Sequence, residues 1–208
     1  MFDRPALALM APLLQAGARL LVRLGIGADA VTLAGFALGL AAATLIALAQ
    51  PLAGLVLLLA SRLADGLDGA VARLGQPTDR GAFLDITLDF VFYASIPLAF
   101  ALADPAANAL AAALLLAAFV GTASSFLAFS VLAERRGLTS LAYPRKGLYY
   151  LGGLTEGGET LAFFAAMCLW PASFATLAMV FAALCAVTLL TRLVAGWRAF
   201  GEAGQGGH

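Results

Sequence analysis

Apolar residues fill most of this chain in long runs, which short polar or proline-containing breaks interrupt. A run of about 20 apolar residues is the length at which a helix crosses about 30 Å of hydrocarbon while satisfying its own backbone hydrogen bonds. The pattern therefore predicts an all-α, polytopic membrane protein with six transmembrane helices. The predicted spans are 30–49, 52–72, 82–103, 107–132, 148–169 and 172–195.

The first 24 residues have a different pattern. At about 100° per residue, their leucines share one side of a helix while Gln15, Arg19 and Arg23 occupy the other. No basic region precedes the apolar run, and basic residues follow it, which is untypical of a cleaved signal peptide. We therefore expect an interfacial amphipathic helix over 1–24, one membrane domain over 25–200 and a flexible tail over 201–208.

Composition and charge support this interpretation. The chain is 62% hydrophobic and 12% charged, with a mean hydropathy of +0.96, which excludes an ordinary soluble domain. Lys and Arg lie before the first span, in alternate breaks and after the last span, except Arg62 and Arg192, which lie inside spans near the ends expected in the cytoplasm. Because positive charges near span ends stay in the cytoplasm, both termini and the loop after the second span are expected there.

Polar chemistry concentrates in residues 61–90, "SRLADGLDGAVARLGQPTDRGAFLDITLDF". On a helical wheel, one arc of about 140° collects six residues of the second span. They are Arg62, Asp65, Asp68, Gly69, Ala72 and Arg73. Asp85 and Asp89 lie four residues apart on the third span and share a face. Since the linking segment is short, we expect four carboxylates to converge near the cytoplasmic end of the membrane.

Four adjacent carboxylates must become protonated or bind cations. An all-oxygen ligand set suits Mg²⁺, which proteins usually bind through a few carboxylates together with phosphate and water. The alternative is that these acids end helices and pair with Arg62, Arg73 and Arg80. That would explain any one of them, but four buried acids give no stability that leucine would not supply better. Asp79 is interpreted as an ordinary loop residue.

"DGLDGAVAR" followed by "GAFLDITLD" resembles the signature of the CDP-alcohol phosphatidyltransferases, with all eight fixed positions present. Seven residues separate Arg73 from Gly81, one fewer than is usual in the family, and we expect this to alter only the loop. The spans and the preceding surface helix are also similar to the family, in particular to a bacterial inner-membrane member. The resemblance implies a multi-pass protein of the bacterial inner membrane.

The resemblance also implies roles for individual residues. Asp65, Asp68 and Asp85 would hold two Mg²⁺ or Mn²⁺ ions. Asp89 would contribute to that site and act as the catalytic base. The nucleotide would be bound by three residues of the second span, Gly69, Ala72 and Arg73. The substrates would be CDP-diacylglycerol and a small alcohol, with CMP released, and the protein would be a homodimer in lipid with no nucleic-acid partner.

The acceptor alcohol is less well defined by the sequence. Lys146 and Arg192 could bind a phosphorylated polyol such as glycerol 3-phosphate. Glu156 and Glu159 could pair with Arg192, bind sugar hydroxyls, or receive the ammonium group of an amino alcohol. Phosphatidylglycerol is a further alternative acceptor.

Two other classes of function are compatible with parts of this pattern. A divalent-cation transporter would also need intramembrane carboxylates, but these cluster at one end of the spans instead of marking a path across. A catalytically silent scaffold would keep the fold alone. Four residues inside the spans are interpreted as packing residues: Gly35, Gly39, Cys168 and Cys185.

Overall fold

The computed structural model describes residues 3–136, 155 and 157–201. Within these ranges the chain is helical and contains no strand, which confirms the all-α prediction. The helices are α1 Asp3–Arg23, α2 Ala28–Ala47, α3 Pro51–Leu74, α4 Asp79–Ala103, α5 Pro105–Arg135, α6 Gly157–Leu169 and, after a 3₁₀ turn at Pro171–Ser173, α7 Phe174–Gly201.

Four of the described helices are long and apolar enough to cross a membrane: α2, α4, α5 and α7 with its preceding turn. Helix α3 has 24 residues, but its second half carries the charged residues of the predicted site. Helix α6 has 13 residues, and the first part of the predicted span 148–169 lies outside the described residues. The chain is thus a multi-pass membrane protein, while a total of six spans stays a prediction.

Helix α4 begins earlier than the predicted span 82–103 because a side chain caps it. The Thr78 hydroxyl accepts a hydrogen bond from the backbone N–H of Gly81 at 3.1 Å, an N-cap that satisfies an otherwise unpaired donor. The prediction that Asp79 is a loop residue is therefore wrong. Asp79 is the first residue of α4, and its side chain is exposed there.

Helix α2 contacts both of the helices that carry the four predicted aspartates. Helix α2 packs closely against both α3 and α4, while α5 packs against α4 and α7, and α6 against α3 and α7. Large phenylalanine side chains fill the main core, in which both cysteines are also buried, as predicted. The fully buried phenylalanines are Phe92, Phe100, Phe164, Phe174 and Phe181.

Two glycines of α2 allow neighbouring helices to come close, as the sequence predicts. A Cβ atom on Gly39 would lie 2.5 Å from Cδ2 of Phe92, and one on Gly35 would lie 3.0 Å from Cβ of Ala64. The Ser61 hydroxyl donates a hydrogen bond of 2.7 Å to the Gly35 carbonyl. Small residues at such crossings let helix backbones approach each other inside a membrane.

Helix α1 confirms the predicted helix at the start of the chain, and its apolar side packs on α3. Leu14 and Ala18 are buried against Ala70 and Val71, on the side of α3 opposite the aspartates. The basic side of α1 is exposed. Its placement at the membrane surface stays a prediction.

Candidate active site

A cleft lies between α3 and α4, with α2 forming its floor, and all four predicted aspartates line it. Its volume is about 240 Å³ when the space that is open to solvent is included. The lining residues are Thr32, Gly35 and Phe36 of α2, Arg62, Asp65 and Asp68 of α3, and Asp85, Leu88 and Asp89 of α4. The helical-wheel prediction that the carboxylates of the second and third spans converge is therefore confirmed.

Three of the aspartates form a compact cluster. One carboxylate oxygen from each of Asp65, Asp68 and Asp85 lies within 4.8 Å of the other two. Asp68 is buried, whereas Asp85 is exposed at the mouth of the cleft. Oxygen donors this close, supplied by two helices, fit a hard divalent cation that also keeps water or phosphate ligands. The spacer between Arg73 and Gly81 is one residue shorter than is usual in the family. The three carboxylates converge despite this difference.

Asp68 has a partner that the sequence did not reveal. The Thr32 hydroxyl donates a hydrogen bond of 2.6 Å to Oδ2 of Asp68, across the α2–α3 contact. Thr32 follows Asp29 by three residues, so both lie on the same side of α2 near its start. These two polar residues at the beginning of a mostly apolar helix are the sequence signal that could have pointed to Thr32 as a site residue.

Asp89 is held differently from the other three. Its Oδ1 accepts a hydrogen bond of 2.5 Å from Nη1 of Arg62, and the same nitrogen lies 3.5 Å from Oδ1 of Asp65. The Arg62 side chain is only 13% exposed, and its guanidinium lies 3.8 Å above the centre of the Phe92 ring. Pairing with Arg62, which was considered from the sequence as the alternative to metal binding, is thus present at Asp89 and, at a longer distance, at Asp65 of the three-carboxylate cluster.

The predicted nucleotide-binding residues continue from this cluster along α3. A Cβ atom on Gly69 would lie 3.3 Å from Nη1 of Arg73, so the absence of a side chain gives the Arg73 guanidinium its room. Ala72 is partly exposed and Arg73 is exposed. Together they form an accessible edge next to the carboxylates, with a planar donor group of the kind that binds phosphate.

The first turn of α4 is fixed to the start of α2. Arg80 donates to Oδ2 of Asp29 from both Nε, at 2.9 Å, and Nη2, at 2.5 Å. Gly81 packs beside this pair, since a Cβ atom there would lie 3.1 Å from Oδ1 of Asp29. These contacts connect the first turn of α4, which precedes Asp85, to α2.

The predicted acceptor residues are only partly described. Lys146 and Glu156 lie outside the described residues. Nη1 of Arg192 donates a hydrogen bond of 3.0 Å to the Thr122 carbonyl and so links α7 to α5. Glu159 is partly buried in the first turn of α6. Neither Arg192 nor Glu159 lines the aspartate cleft.

Comparison with known proteins gives a consistent result. Residues 26–197 match the family model described as CDP-alcohol phosphatidyltransferase. The inner membrane protein YnjF of Escherichia coli (strain K12) is 51% identical over 197 residues, which is 95% of this chain and 96% of that protein. The archaetidylinositol phosphate synthase of Methanothermobacter thermautotrophicus is 46% identical over 68 residues, 32% of this chain and 35% of the synthase.

Solved structures of the phosphatidylinositol phosphate synthase of Mycobacterium tuberculosis share the fold. The structure with CDP-DAG bound has a TM-score of 0.73 at 24% identity, and the match covers 89% of this chain and 94% of the synthase. The structure in complex with manganese and citrate has a TM-score of 0.70 at 25% identity, with 88% of each chain covered. With the family model matching most of its length, this chain belongs to the CDP-alcohol phosphatidyltransferase family of enzymes.

Proposed function

We propose that this enzyme transfers a phosphatidyl group from CDP-diacylglycerol to a small alcohol and releases CMP. The observation that carries the proposal is the convergence of Asp65, Asp68 and Asp85 within 4.8 Å in the cleft between α3 and α4. Family membership supports the reaction class, and the bound CDP-DAG in the mycobacterial synthase supports the donor. A transferase also explains these carboxylates better than a cation transporter does.

In this proposal Asp65, Asp68 and Asp85 hold Mg²⁺ or Mn²⁺, with two ions in the full site and Asp89 contributing to it. Manganese in the 25%-identical synthase structure supports the choice of ion. When bound, such ions neutralise negative charge on the pyrophosphate and make CMP a better leaving group. The protein supplies the oxygen ligands and fixes Asp68 through Thr32.

The remaining residues bind and orient the substrates. Gly69 and Ala72 leave room for the nucleotide, and the exposed Arg73 guanidinium binds a phosphate oxygen. Asp89 accepts the proton of the acceptor hydroxyl. The alcohol oxygen forms a bond to the lipid-side phosphorus, the bond from that phosphorus to the CMP oxygen breaks, and the electron pair leaves with CMP.

For the acceptor we propose a phosphorylated polyol such as glycerol 3-phosphate or inositol phosphate. Two relatives are synthases of inositol phosphate lipids, whose head groups are phosphorylated polyols. Lys146 and Arg192 would bind the acceptor phosphate, and Glu156 and Glu159 its hydroxyls. An amino alcohol received by the same two glutamates, or phosphatidylglycerol, is the alternative.

We further propose that the enzyme is a homodimer in a bacterial inner membrane, with both termini and the cleft on the cytoplasmic side. The inner-membrane relative at 51% identity supports the location. Arg73 at the end of α3 and Arg80 at the start of α4, which flank the loop between these helices, support the orientation. CMP would then leave directly to the cytoplasm, while the lipid substrate enters from the bilayer.

The test is CMP release by the purified protein in detergent with CDP-diacylglycerol and Mg²⁺ or Mn²⁺. Glycerol 3-phosphate, inositol phosphate, serine and phosphatidylglycerol are offered in turn. We expect release with one phosphorylated polyol and its loss, by at least about 100-fold, in Asp89→Asn. No release with any alcohol, from protein that binds CDP-diacylglycerol, would contradict the proposed transfer reaction together with its acceptors. Full activity in Asp89→Asn would contradict its role as the base.

A further inference from the structure

Arg62 is a largely enclosed charged residue of the cleft, with its side chain 13% exposed, and it lies at the inner end. It precedes Asp65 by three residues on α3, one turn towards the middle of the helix and away from the loop. From there Nη1 lies 2.5 Å from Oδ1 of Asp89 on α4 and 3.5 Å from Oδ1 of Asp65. One guanidinium therefore bridges carboxylates from both walls of the cleft.

Aromatic rings prevent this guanidinium from moving aside. It lies 3.8 Å from the centre of the Phe92 ring and 5.6 Å from that of Tyr93. Phe92 is itself fully buried, and Gly39 packs tightly against one edge of its ring. An arginine that is stacked on a buried ring and bonded to a carboxylate has one accessible orientation, and a lysine could not reproduce this geometry.

Arg62 lies closer to Asp89 than to Asp65, the member of the three-carboxylate cluster that it also contacts. Asp65, Asp68 and Asp85 lie together nearer the mouth, where the cation-binding geometry is found. Asp89 lies one turn deeper on α4 and is bound to Arg62. A buried ion pair is a poor source of stability compared with apolar packing, so stability alone does not explain this arginine.

We propose that Arg62 is a positioning residue for Asp89, an inference that rests on the proposed function. By binding Oδ1, it fixes the rotamer of Asp89 so that Oδ2 faces the acceptor hydroxyl. Arg62 touches neither substrate and acts through Asp89.

The test compares four proteins, all with the acceptor found for the wild-type enzyme: wild type, Arg62→Gln, Arg62→Lys and Arg62→Gln/Asp89→Asn. The readouts are kcat, KM for CDP-diacylglycerol, Tm, and the rise in Tm on adding CDP-diacylglycerol with Mn²⁺. We expect Arg62→Gln to lower kcat roughly 10–100-fold, the usual effect of losing an orienting partner, while KM and the ligand-induced rise in Tm stay unchanged. Arg62→Lys should lower kcat less than Arg62→Gln does, because lysine keeps the positive charge but lacks the planar guanidinium with its several donors.

The double variant distinguishes a role of Arg62 in positioning Asp89 from a role in the folding of the protein. If Arg62 acts through Asp89, the double variant should be no slower than Asp89→Asn alone. Removing both charges also avoids an unpaired buried carboxylate, so this protein should fold even if Arg62→Gln does not. Arg19→Gln, an exposed arginine on α1, is the matched control and should match wild type.

Three results would overturn the inference. The first is an unchanged kcat in Arg62→Gln, and the second is a loss of CDP-diacylglycerol binding in that variant parallel to its loss of kcat. The third is a double variant that is slower than Asp89→Asn by the full effect of Arg62→Gln. In each case the wild-type enzyme still releases CMP, so the proposed function stands. If the wild-type enzyme releases no CMP with any alcohol, the proposed function fails, and the role of Arg62 fails with it.

Discussion

The hydroxyl of Thr32 and the carboxylate of Asp68 form a hydrogen bond of 2.6 Å between two helices of the cleft. Asp68 is 5% exposed, the most buried of the three clustered aspartates. A neutral donor at this distance fixes the direction of a carboxylate and compensates for part of its lost hydration. Thr32 is therefore expected to act as an orienting partner of a proposed metal ligand.

Thr32→Val should weaken metal binding without unfolding the protein. The substitution keeps the branched shape and removes the donor, and loss of such a partner typically costs 10–100-fold in metal affinity. We expect the Mn²⁺ concentration for half-maximal CMP release to rise at least about tenfold. Thr44→Val is the matched control on α2, because the Thr44 hydroxyl is exposed and donates only to the Leu40 carbonyl of its own helix. An unchanged Mn²⁺ requirement in Thr32→Val would show that this hydrogen bond does not tune the site.

Gly39→Ala should destabilise the site as well as the fold. The new methyl group would lie 2.5 Å from the Phe92 ring, which is buried and cannot retreat. Overpacking of this kind costs about 1–3 kcal/mol, and it would move the ring on which Arg62 stacks. Thermal unfolding in detergent and CMP release should both show the change.

Gly196→Ala is the control for that comparison. Its Cβ atom would lie 3.6 Å from the Phe129 ring, an ordinary contact. Alanine favours the helix over glycine by up to about 1 kcal/mol, so α7 should keep or gain stability. Equal Tm values for the two variants would contradict the close approach of α2 and α4.

The sequence predicted those features that depend on one helix at a time. Helix length and hydrophobicity placed α3, predicted over 52–72 and observed at Pro51–Leu74. The 3.6-residue period alone places Asp65 and Asp68 on one face, whatever the rest of the fold does. Both features are therefore readable without knowing how the helices pack.

Features that depend on contacts between helices were harder to predict. A threonine hydroxyl in a helix usually bonds to its own backbone, so the polar start of α2 could draw attention to Thr32 but could not identify Asp68 on α3 as its partner. The wheel placed Arg62 near several acids but could not show that Asp89 would receive its hydrogen bond. That choice follows from the stacking on Phe92, whose position depends on packing with α2.

Asp85→Asn should abolish metal-dependent activity. Asp85 is the α4 contribution to the cluster, and an amide there removes one negative charge and weakens a hard-cation ligand. We expect CMP release to fall at least about 100-fold at saturating Mn²⁺, as for removal of a group on which the reaction depends. In the wild-type enzyme, EDTA should abolish release and Mn²⁺ should restore it.

Asp79→Asn is the matched control, since Asp79 and Asp85 are both exposed and lie on the same helix. Loss of a charge at the first turn of α4 should change stability by less than about 1 kcal/mol and leave CMP release intact. Comparable losses in the two variants would indicate that the charge of this helix, and not a metal ligand, determines activity.

The proposed orientation can be tested with single introduced cysteines, because both native cysteines are buried in the core, with Cys168 at 0% and Cys185 at 2% exposure. Gln76→Cys lies in the α3–α4 loop between basic residues, and Ala106→Cys lies at the start of α5 in a break without any. Positive charge retains a loop in the cytoplasm, so a membrane-impermeant maleimide should label Ala106→Cys in intact spheroplasts and Gln76→Cys in inside-out vesicles. Wild-type protein should stay unlabelled in both preparations. Labelling in the reverse pattern would put the aspartate cleft on the outer side of the membrane. CMP could not be released into the cytoplasm from that side, so the proposed reaction could not operate as described.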